Sequence, residues 1–354
     1  MNGTGTAFIS GTTGFVGANL ARFLLDKGYE IRALVRPGSD RGNLPKDRRF
    51  RMIEGDLSNA ASVLRAVRGC DEVYHVAADY RFWAKDPREL YESNVLGTDH
   101  VLCAAGETGA RRIVHTSTVG TIGLQGQPSP CNEHSHRYAG QFTSHYKRSK
   151  LEAEEIALKY ARQGLPIVIV NPSTPIGPWD CKPTPTGKII VDFVNGRMPA
   201  YVDTGLNFIH VRDVAEGHWL AAQKGRIGER YILGGKNLTM REFLEMTAVQ
   251  CRKLALHGAP KKAPSFRIPY WLAWTTGWLS TGFSNTISKT PPAVPLEAVQ
   301  MAKNYMFFDS SKAVHELGLP QTPLETAVEE AVAWFFQRRF FEISHEPSNS
   351  KRMH

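Results

Sequence analysis

Cysteine is scarce and scattered in this 354-residue chain: Cys70, Cys103, Cys131, Cys181 and Cys251 are odd in number, and none falls in a CxxC pair. That spacing excludes a disulfide framework and a thiolate metal site, and no other His, Asp or Glu cluster has ligand spacing, so no metal is expected. No apolar run reaches the roughly 20 residues that a bilayer-spanning helix needs. Clustered runs of Lys and Arg are missing too, although the chain carries 43 Lys and Arg against 34 Asp and Glu, a formal net charge of +9. So diffuse an excess suits an anionic small molecule or an acidic surface rather than nucleic acid, and no nucleic-acid partner is expected. A strand-like run begins as early as Thr6, which together with the scattered cysteines leads us to expect a reduced, cytoplasmic protein without a leader segment.

What the sequence does have is alternation. Strand-like runs at 6–10, 30–35, 51–54, 72–76, 112–116 and 167–171 are separated by helical patterns such as 18–27, 60–68 and 94–109. Strands alternating with helices build an α/β fold, a doubly wound parallel sheet of the Rossmann type, whose ligands sit at the carboxyl ends of the strands. The first strand breaks into Gly11-Thr12-Thr13-Gly14-Phe15-Val16-Gly17 and then into an amphipathic helix. Spaced glycines at such a junction let backbone N–H groups approach a pyrophosphate at the positive end of the helix dipole. Gly11, Thr13, Gly14, Phe15, Val16 and Gly17 are therefore the expected dinucleotide contacts, and residues 1–171 read as a dinucleotide-binding domain. Prolines then crowd the chain at Pro172, Pro175, Pro178, Pro183 and Pro185. We expect 172–205 and 235–340 to form a smaller C-terminal substrate lobe, 206–234 to return to the sheet, and 341–354 to be a flexible tail.

Among eleven tyrosines only Tyr146 has a lysine four residues on, Lys150, and the pair opens a helical run. Residues i and i+4 share a helix face, so the ammonium can lie near the phenol and lower a pKa that is otherwise ~10. Such a phenol can exchange a proton with a carbinol or carbonyl oxygen while a nicotinamide exchanges hydride with the adjacent carbon. Lys150 can also hold the nicotinamide ribose. The preceding strand-like run ends in Thr116-Ser117-Thr118, which puts hydroxyls at the edge of the same crevice. After the second strand, where an acid usually holds the ribose 2′-hydroxyl of NAD, the chain reads Val35-Arg36-Pro37-Gly38-Ser39-Asp40-Arg41. Arg36 with Ser39 or Arg41 can grip a 2′-phosphate, which favours NADP(H). The alternative, Arg36 stacked on adenine with Asp40 at the ribose, keeps NAD(H) open.

The GxxGxxG spacing together with Tyr146-Lys147-Arg148-Ser149-Lys150 resembles the extended branch of the short-chain dehydrogenase/reductase superfamily. Asn171-Pro172-Ser173-Thr174-Pro175-Ile176-Gly177-Pro178 and Tyr231-Ile232-Leu233-Gly234-Gly235, with further stretches at 34–39, 75–81, 182–188 and 197–205, are similar to the bacterial hopanoid-associated sugar epimerases. Those are relatives of the dihydroflavonol 4-reductases, and the resemblance covers nearly the whole chain. It implies that Thr118, where serine is commoner, holds the substrate oxygen, with Ser117 as the alternative. It also implies that Asn94 distorts a helix near Lys150, for which a plain N-cap is an equal reading. Asp56 and Leu57 would contact adenine, Ala77 and Ala78 would wall the adenosine ribose, and Pro172, Ser173 and Thr174 would meet the nicotinamide end. The plain alternatives are a turn at Asp56 and close packing at the alanines. Arg212 departs from the pattern, standing where an acid is common.

The activity implied is that of a sugar epimerase acting at a secondary alcohol or ketone carbon and associated with hopanoid production. An NADPH-dependent ketone reductase is the alternative. A cofactor-sensing binding protein is a third reading, against which the intact Thr118, Tyr146 and Lys150 argue. Segments 89–106 and 146–163 match helices that pair in extended relatives, so a homodimer is expected. The substrate wall is expected from Asp79, Tyr80, Phe82, Trp83, His145, Lys182, Thr186 and Asn207, while His210 among apolar neighbours reads as structural. The segment 267–283, rich in aromatics and flanked by Lys261, Lys262 and Lys289, can lie in a membrane interface, but a helix packed on the smaller lobe is the favoured expectation.

Overall fold

The computed structural model describes residues 5–81, 83–124, 129–137, 142 and 144–345. Phe82 and residues 346–354 of the expected tail lie outside the described residues. Strands β1 (Thr6–Ser10), β2 (Glu30–Val35), β3 (Phe50–Glu54), β4 (Glu72–His75), β5 (Arg112–Thr116) and β6 (Ile167–Pro172) are interleaved with α1 (Phe15–Asp26), α2 (Ala60–Val67), α3 (Arg88–Tyr91), α4 (Gly97–Glu107) and α5 (His145–Arg162). There follow β7 (Thr174–Ile176), α6 (Pro185–Val194), β8 (Ala200–Val202), β9 (Gly205–His210), α7 (Val211–Lys224), β10 (Arg230–Leu233), β11 (Lys236–Thr239) and α8 (Met240–Lys253). The last elements are β12 (Leu256–His257), β13 (Phe266–Ile268), α9 (Tyr270–Phe283), α10 (Leu296–Met301), α11 (Leu324–Gln337) and β14 (Ser344–His345).

A seven-stranded sheet runs β10-β6-β5-β4-β1-β2-β3 with every pair parallel. β6 is buried along its whole length, as a strand covered on both faces must be. Successive side chains alternate between two cores. Ile9, Val168 and Val170 join Leu20, Leu24 and Tyr231 under α1 and α7, while Phe8, Ile167 and Ile169 join Val63, Val101 and Ala157 under α2, α4 and α5. β1 continues to β2 on one side and pairs with β4 on the other, so the strand order reverses at its carboxyl end, where ligands of such sheets bind.

The smaller lobe is built on the sheet β11-β9-β7 and on α6, α8 and α11, with Phe208 and Phe243 stacked at 4.2 Å in its core. Here the structure corrects several boundaries. β10 does return to the large sheet, but β9 does not, because β7 and β11 pair with its two edges. Ala313, Leu317 and Leu319 were expected in the lobe, yet they are buried beside Tyr231 and Leu233 in the core of the large domain. The tail expected from 341 onward starts as ordered chain. Phe341 is buried, the Glu342 N–H donates to Asn195 Oδ1 at 2.8 Å, and β14 pairs with β12. α9 is also unlike the packed helix expected: it buries only Ala273 and Gly277 and leaves its aromatic side chains exposed.

The glycine turn is held by close approach rather than by side chains. Gly11 adopts φ +80°, and a Cβ there would lie 2.7 Å from Ala77 N; a Cβ on Gly17 would lie 2.2 Å from Gly11 O. Gly17→Ala is therefore expected to destabilise the fold by about 1–3 kcal/mol in urea denaturation. Gly14→Ala, whose Cβ would meet Gly11 O at 3.3 Å with an ordinary φ, should cost clearly less.

Candidate active site

Ser144 caps α5 by accepting the Lys147 N–H, which starts the helix at His145 and sets Tyr146 in its first turn. Lys150, one turn later, is buried, and its ammonium donates to the Thr116 carbonyl at the end of β5 (2.7 Å). Thr118, two residues further, accepts the Gly120 N–H at 3.1 Å and hydrogen-bonds with the Tyr146 phenol. The structure thus brings Thr118, Tyr146 and Lys150 to one place. The expected lowering of the phenol by the ammonium is not what this arrangement gives. Burial pushes the Tyr146 phenol up to about 12, with the Thr118 bond opposing and Asp79 adding to the rise. Burial also pulls Lys150 down to about 8, against the attraction of Glu154. Near neutrality the phenol is protonated and able to donate.

Ser117 does not compete with Thr118, because its hydroxyl donates to Glu154 at 2.5 Å. Glu154 is a residue that the sequence reading missed. Fully buried on α5, it accepts from Ser117, Thr121 (2.7 Å) and Asn171 (2.9 Å) and pairs with Arg137 and Arg230. These partners hold its carboxyl below the ordinary range in spite of burial, with Arg137 the largest of the lowering influences. Its spacing of four from Lys150 is the signal that was available.

Asn94 is not an N-cap. It sits inside a π-helical turn, Glu92–Leu96, with its side chain accepting from Asp79 N (2.7 Å) and donating to Asp79 O and Ser149 Oγ (both 2.9 Å). The widened turn and these bonds fasten the Asp79 loop to α5.

The glycine turn is open to a phosphate. Gly14, the N-cap of α1, is extended, no side chain caps the helix, and its first turn holds no acid. Thr12 Oγ1 in this turn and Ser173 Oγ beyond β6 are buried hydroxyls with no hydrogen-bond partner among the described residues. Asn43, also missed, donates to Thr13 O, Gly14 O and Trp179 O, tying the turn to the loop after β7. Residues 7–234 match the NAD dependent epimerase/dehydratase family. A provisionally named dihydroflavonol 4-reductase from Synechocystis is 46% identical over 93% of this chain and 94% of its own length. The sterol demethylase protein B of Methylococcus capsulatus is 34% identical, over 94% and 99% respectively. The crystal structure of gox2253 superposes with a TM-score of 0.82 at 40% identity, covering 95% of this chain and 99% of that one.

The chain belongs to the NAD-dependent epimerase/dehydratase family. It is an oxidoreductase-type enzyme of the extended short-chain kind, and a nicotinamide dinucleotide is its cofactor. The residues present fit that group: a glycine turn that admits no Cβ at Gly11 or Gly17, an uncapped helix end, and orphaned hydroxyls at Thr12 and Ser173.

The other family positions fall out unevenly. Arg36 is exposed and forms no ion pair among the described residues. Ser39 is half-buried in the turn closed by its N–H on Arg36 O (3.1 Å), and Arg41 is drawn off into an ion pair with Glu54. Asp56 turns back to accept from Ser58 N and Oγ, which fits the turn reading, while Leu57 lies against Gly97. Ala77 packs on Gly11 and Ala78 follows it; Pro172 ends β6 and Thr174 begins β7, on either side of Ser173.

Of the substrate residues, Trp83 and His145 come together in a cavity of about 200 Å³, with Leu90, Thr281, Asn285, Leu296 and Glu297 also on its wall. Trp83 donates to Asn285 Oδ1 at 2.7 Å. Asp79 is bound to Arg81, and exposed Tyr80 feels both Asp79 and Asp180, which carries the adjoining segment of Lys182 and Thr186. Lys182 is exposed and Thr186 half-buried, and neither lines this cavity. Asn207 is a correction: it is buried and its amide is saturated by Gly235, Asn237 and Phe308, so it has nothing to offer a substrate. His210 is structural, capping α7 through the Arg212 N–H.

Glu297 was not foreseen. Its carboxyl accepts from Ser144 and from the His145 backbone, its Oε2 is buried with no partner among the described residues, and burial raises it from the ordinary 4.5 to about 7. The folded protein therefore holds this proton longer than the unfolded chain, and stability is lost as pH rises from about 4.5 through 7. Glu297→Gln keeps an acceptor for both donors without the charge. Its melting temperature should fall less than that of wild type between pH 5 and pH 8, as scanning calorimetry at both pH values will read.

Proposed function

We propose that the protein is an NADP(H)-dependent reductase of a ketone, or dehydrogenase of the matching secondary alcohol, on an apolar polycyclic lipid. The observation that carries this reading is the wall of the cavity that reaches His145, the residue before Tyr146 at the start of α5. Trp83, Pro87, Leu90, Pro292, Pro295 and Leu296 dominate it, and none of its described residues is Lys or Arg to hold a nucleotide diphosphate. The names of the reductase and sterol demethylase relatives support the same direction, as does the resemblance to hopanoid-associated proteins. A nicotinamide dinucleotide would be held by the glycine turn, Lys150 and Ser173, and when bound would supply the hydride. The chain's own residues do the rest. Thr118 orients the substrate oxygen, the protonated Tyr146 phenol donates its proton to that oxygen, and buried Lys150, neutralised more easily than an ordinary lysine, stands one helical turn on with its ammonium on the Thr116 carbonyl. The exposed Arg36 after β2 supports NADP(H) over NAD(H), since its guanidinium can pair with a 2′-phosphate.

A sugar epimerase is the second reading, favoured by the family match over residues 7–234. It needs a dinucleotide that stays bound and is regenerated, whereas a reductase consumes NADPH in proportion to product. Purified enzyme supplied with NADPH and polycyclic ketones should show net NADPH oxidation; retained dinucleotide without net oxidation points to the epimerase. We also place the protein in the cytoplasm as a homodimer built on segments 89–106 and 146–163, with light scattering as the test of its mass.

Substitutions at two residues examine the chemistry. Tyr146→Phe should fold and bind dinucleotide but lose ~10²–10⁴-fold in turnover. Thr118→Ser should stay active and Thr118→Val should not, because valine keeps the shape and loses the hydrogen bond. Arg36→Gln tests the cofactor: calorimetric titration should show NADPH weakened far more than NADH, and equal losses would reassign Arg36 to adenine stacking.

A further inference from the structure

Among the described residues eleven large apolar side chains are exposed, and eight of them fall between Phe266 and Ile287. Phe266, Trp271, Trp278, Leu279, Phe283 and Ile287 are each more than half exposed. This is a patch and not scatter, since elsewhere among the described residues the only exposed large apolar side chains are Tyr80, Leu96 and Ile227. Its polar groups are silenced locally. The hydroxyls of Thr275, Thr276 and Thr286 donate to the carbonyls of Trp271, Leu272 and Gly282 one turn back, at 2.8–2.9 Å, so the outer surface offers water little to bind. On the inner side Ala273 and Gly277 bring α9 close to α10, where a Cβ on Gly277 would stand 3.1 Å from Val299.

Charge identifies the occupant. From 246 to 296 the chain has no Asp or Glu, while it carries Arg252, Lys253, Lys261, Lys262, Arg267 and Lys289. Arg267 is paired with Asp203 from outside this stretch, and Lys261 and Lys262 are exposed before α9 with Lys289 exposed after it. A second copy laid on this face would set like charges together. An anionic bilayer surface would meet tryptophans and leucine with its acyl boundary and the lysines with its headgroups. α9 is too short to span: fourteen residues extend about 21 Å against a hydrocarbon core of about 30 Å. No described helix is long and apolar enough to cross a membrane.

We propose that α9 lies in the plane of an anionic lipid bilayer, with Trp271, Trp278 and Leu279 in its interface and the flanking lysines on its headgroups. The far side of the same segment walls the cavity, through Thr281 and through Asn285, which holds Trp83. Docking therefore puts the cavity next to the lipid. That a lipid substrate enters there rests on the reductase reading; the docking does not.

Co-sedimentation of the full chain with sucrose-loaded vesicles tests it. Wild type should bind vesicles of phosphatidylcholine with phosphatidylglycerol, bind pure phosphatidylcholine at least tenfold more weakly, and be released by salt. Trp278→Ser with Leu279→Ser, and separately Lys261→Glu with Lys262→Glu, should each lose tenfold or more of that binding while melting and titrating NADPH as wild type does. Equal binding to both vesicle types, or unaltered binding by either pair, overturns the proposal. So does a concentration-dependent dimer that the Trp278 and Leu279 changes abolish, which would make the face a contact between copies. Wild type that binds anionic vesicles as expected but oxidises no NADPH with any polycyclic ketone would count against the reductase reading and leave the docking standing.

Discussion

The ionised carboxylate of Glu154, sealed inside the large domain, is the constraint on which the site's geometry depends. A buried charge survives only if its lone pairs are satisfied and its sign is answered. Ser117 and Thr121 from the turn after β5, Asn171 from β6, and the guanidiniums of Arg137 and Arg230 converge on it to do so. Because Glu154 stands on α5 four residues after Lys150, the bonds from Ser117 and Thr121 also fix the helix that carries Tyr146 against the turn that carries Thr118. Thr118 is free to face the phenol because its neighbour Ser117 is already bound. The order of two adjacent hydroxyls is thus decided by an acid that touches neither the cofactor turn nor the cavity.

Burial then sets the protonation of the pair that it assembles. The same desolvation raises the Tyr146 phenol to about 12 and lowers the Lys150 ammonium to about 8, driving apart two pKa values that are ordinarily close together. The lysine is pulled into reach of neutrality while the tyrosine stays a proton donor. Asp79 strengthens this bias, and its backbone is clamped by Asn94 within the π-helical turn. Asn94 consequently acts on the phenol through a loop and an acid rather than by contact.

The large sheet was legible because strands covered on both faces read as unbroken apolar runs, and the glycine turn because a Cβ is sterically excluded at Gly11 and Gly17. Tyr146 and Lys150 were legible through a four-residue spacing. What escaped depends on contacts far apart in sequence. Glu154 on an amphipathic helix reads as a solvated acid until Arg137 and Arg230 are seen beside it. Asn207 reads as a pocket amide until Gly235, Asn237 and Phe308 close around it. β9 has the pattern of any inner strand, and only its pairing with β7 and β11 assigns it to the smaller sheet. The aromatic run of α9 looks like core in one dimension, since nothing in a sequence tells a packed tryptophan from an exposed one.

Glu297 links these levels. It belongs to α10, which packs on α9, yet its carboxyl accepts from Ser144 and the His145 backbone at the start of α5. An acid at a helix N-terminus is favoured by the helix dipole when ionised, and burial opposes that ionisation. Burial outweighs that attraction and raises Glu297 to about 7, so the bond between the lobe and the catalytic helix changes its charge across the neutral range. α10 meets α9 at Gly277 and the first turn of α5 at Glu297, so one short helix joins the exposed aromatic face to the segment that carries Tyr146. The cavity lies along that same connection, with Thr281, Leu296, Glu297 and His145 all on its wall, so a ligand that fills it touches the lobe and the first turn of α5 together.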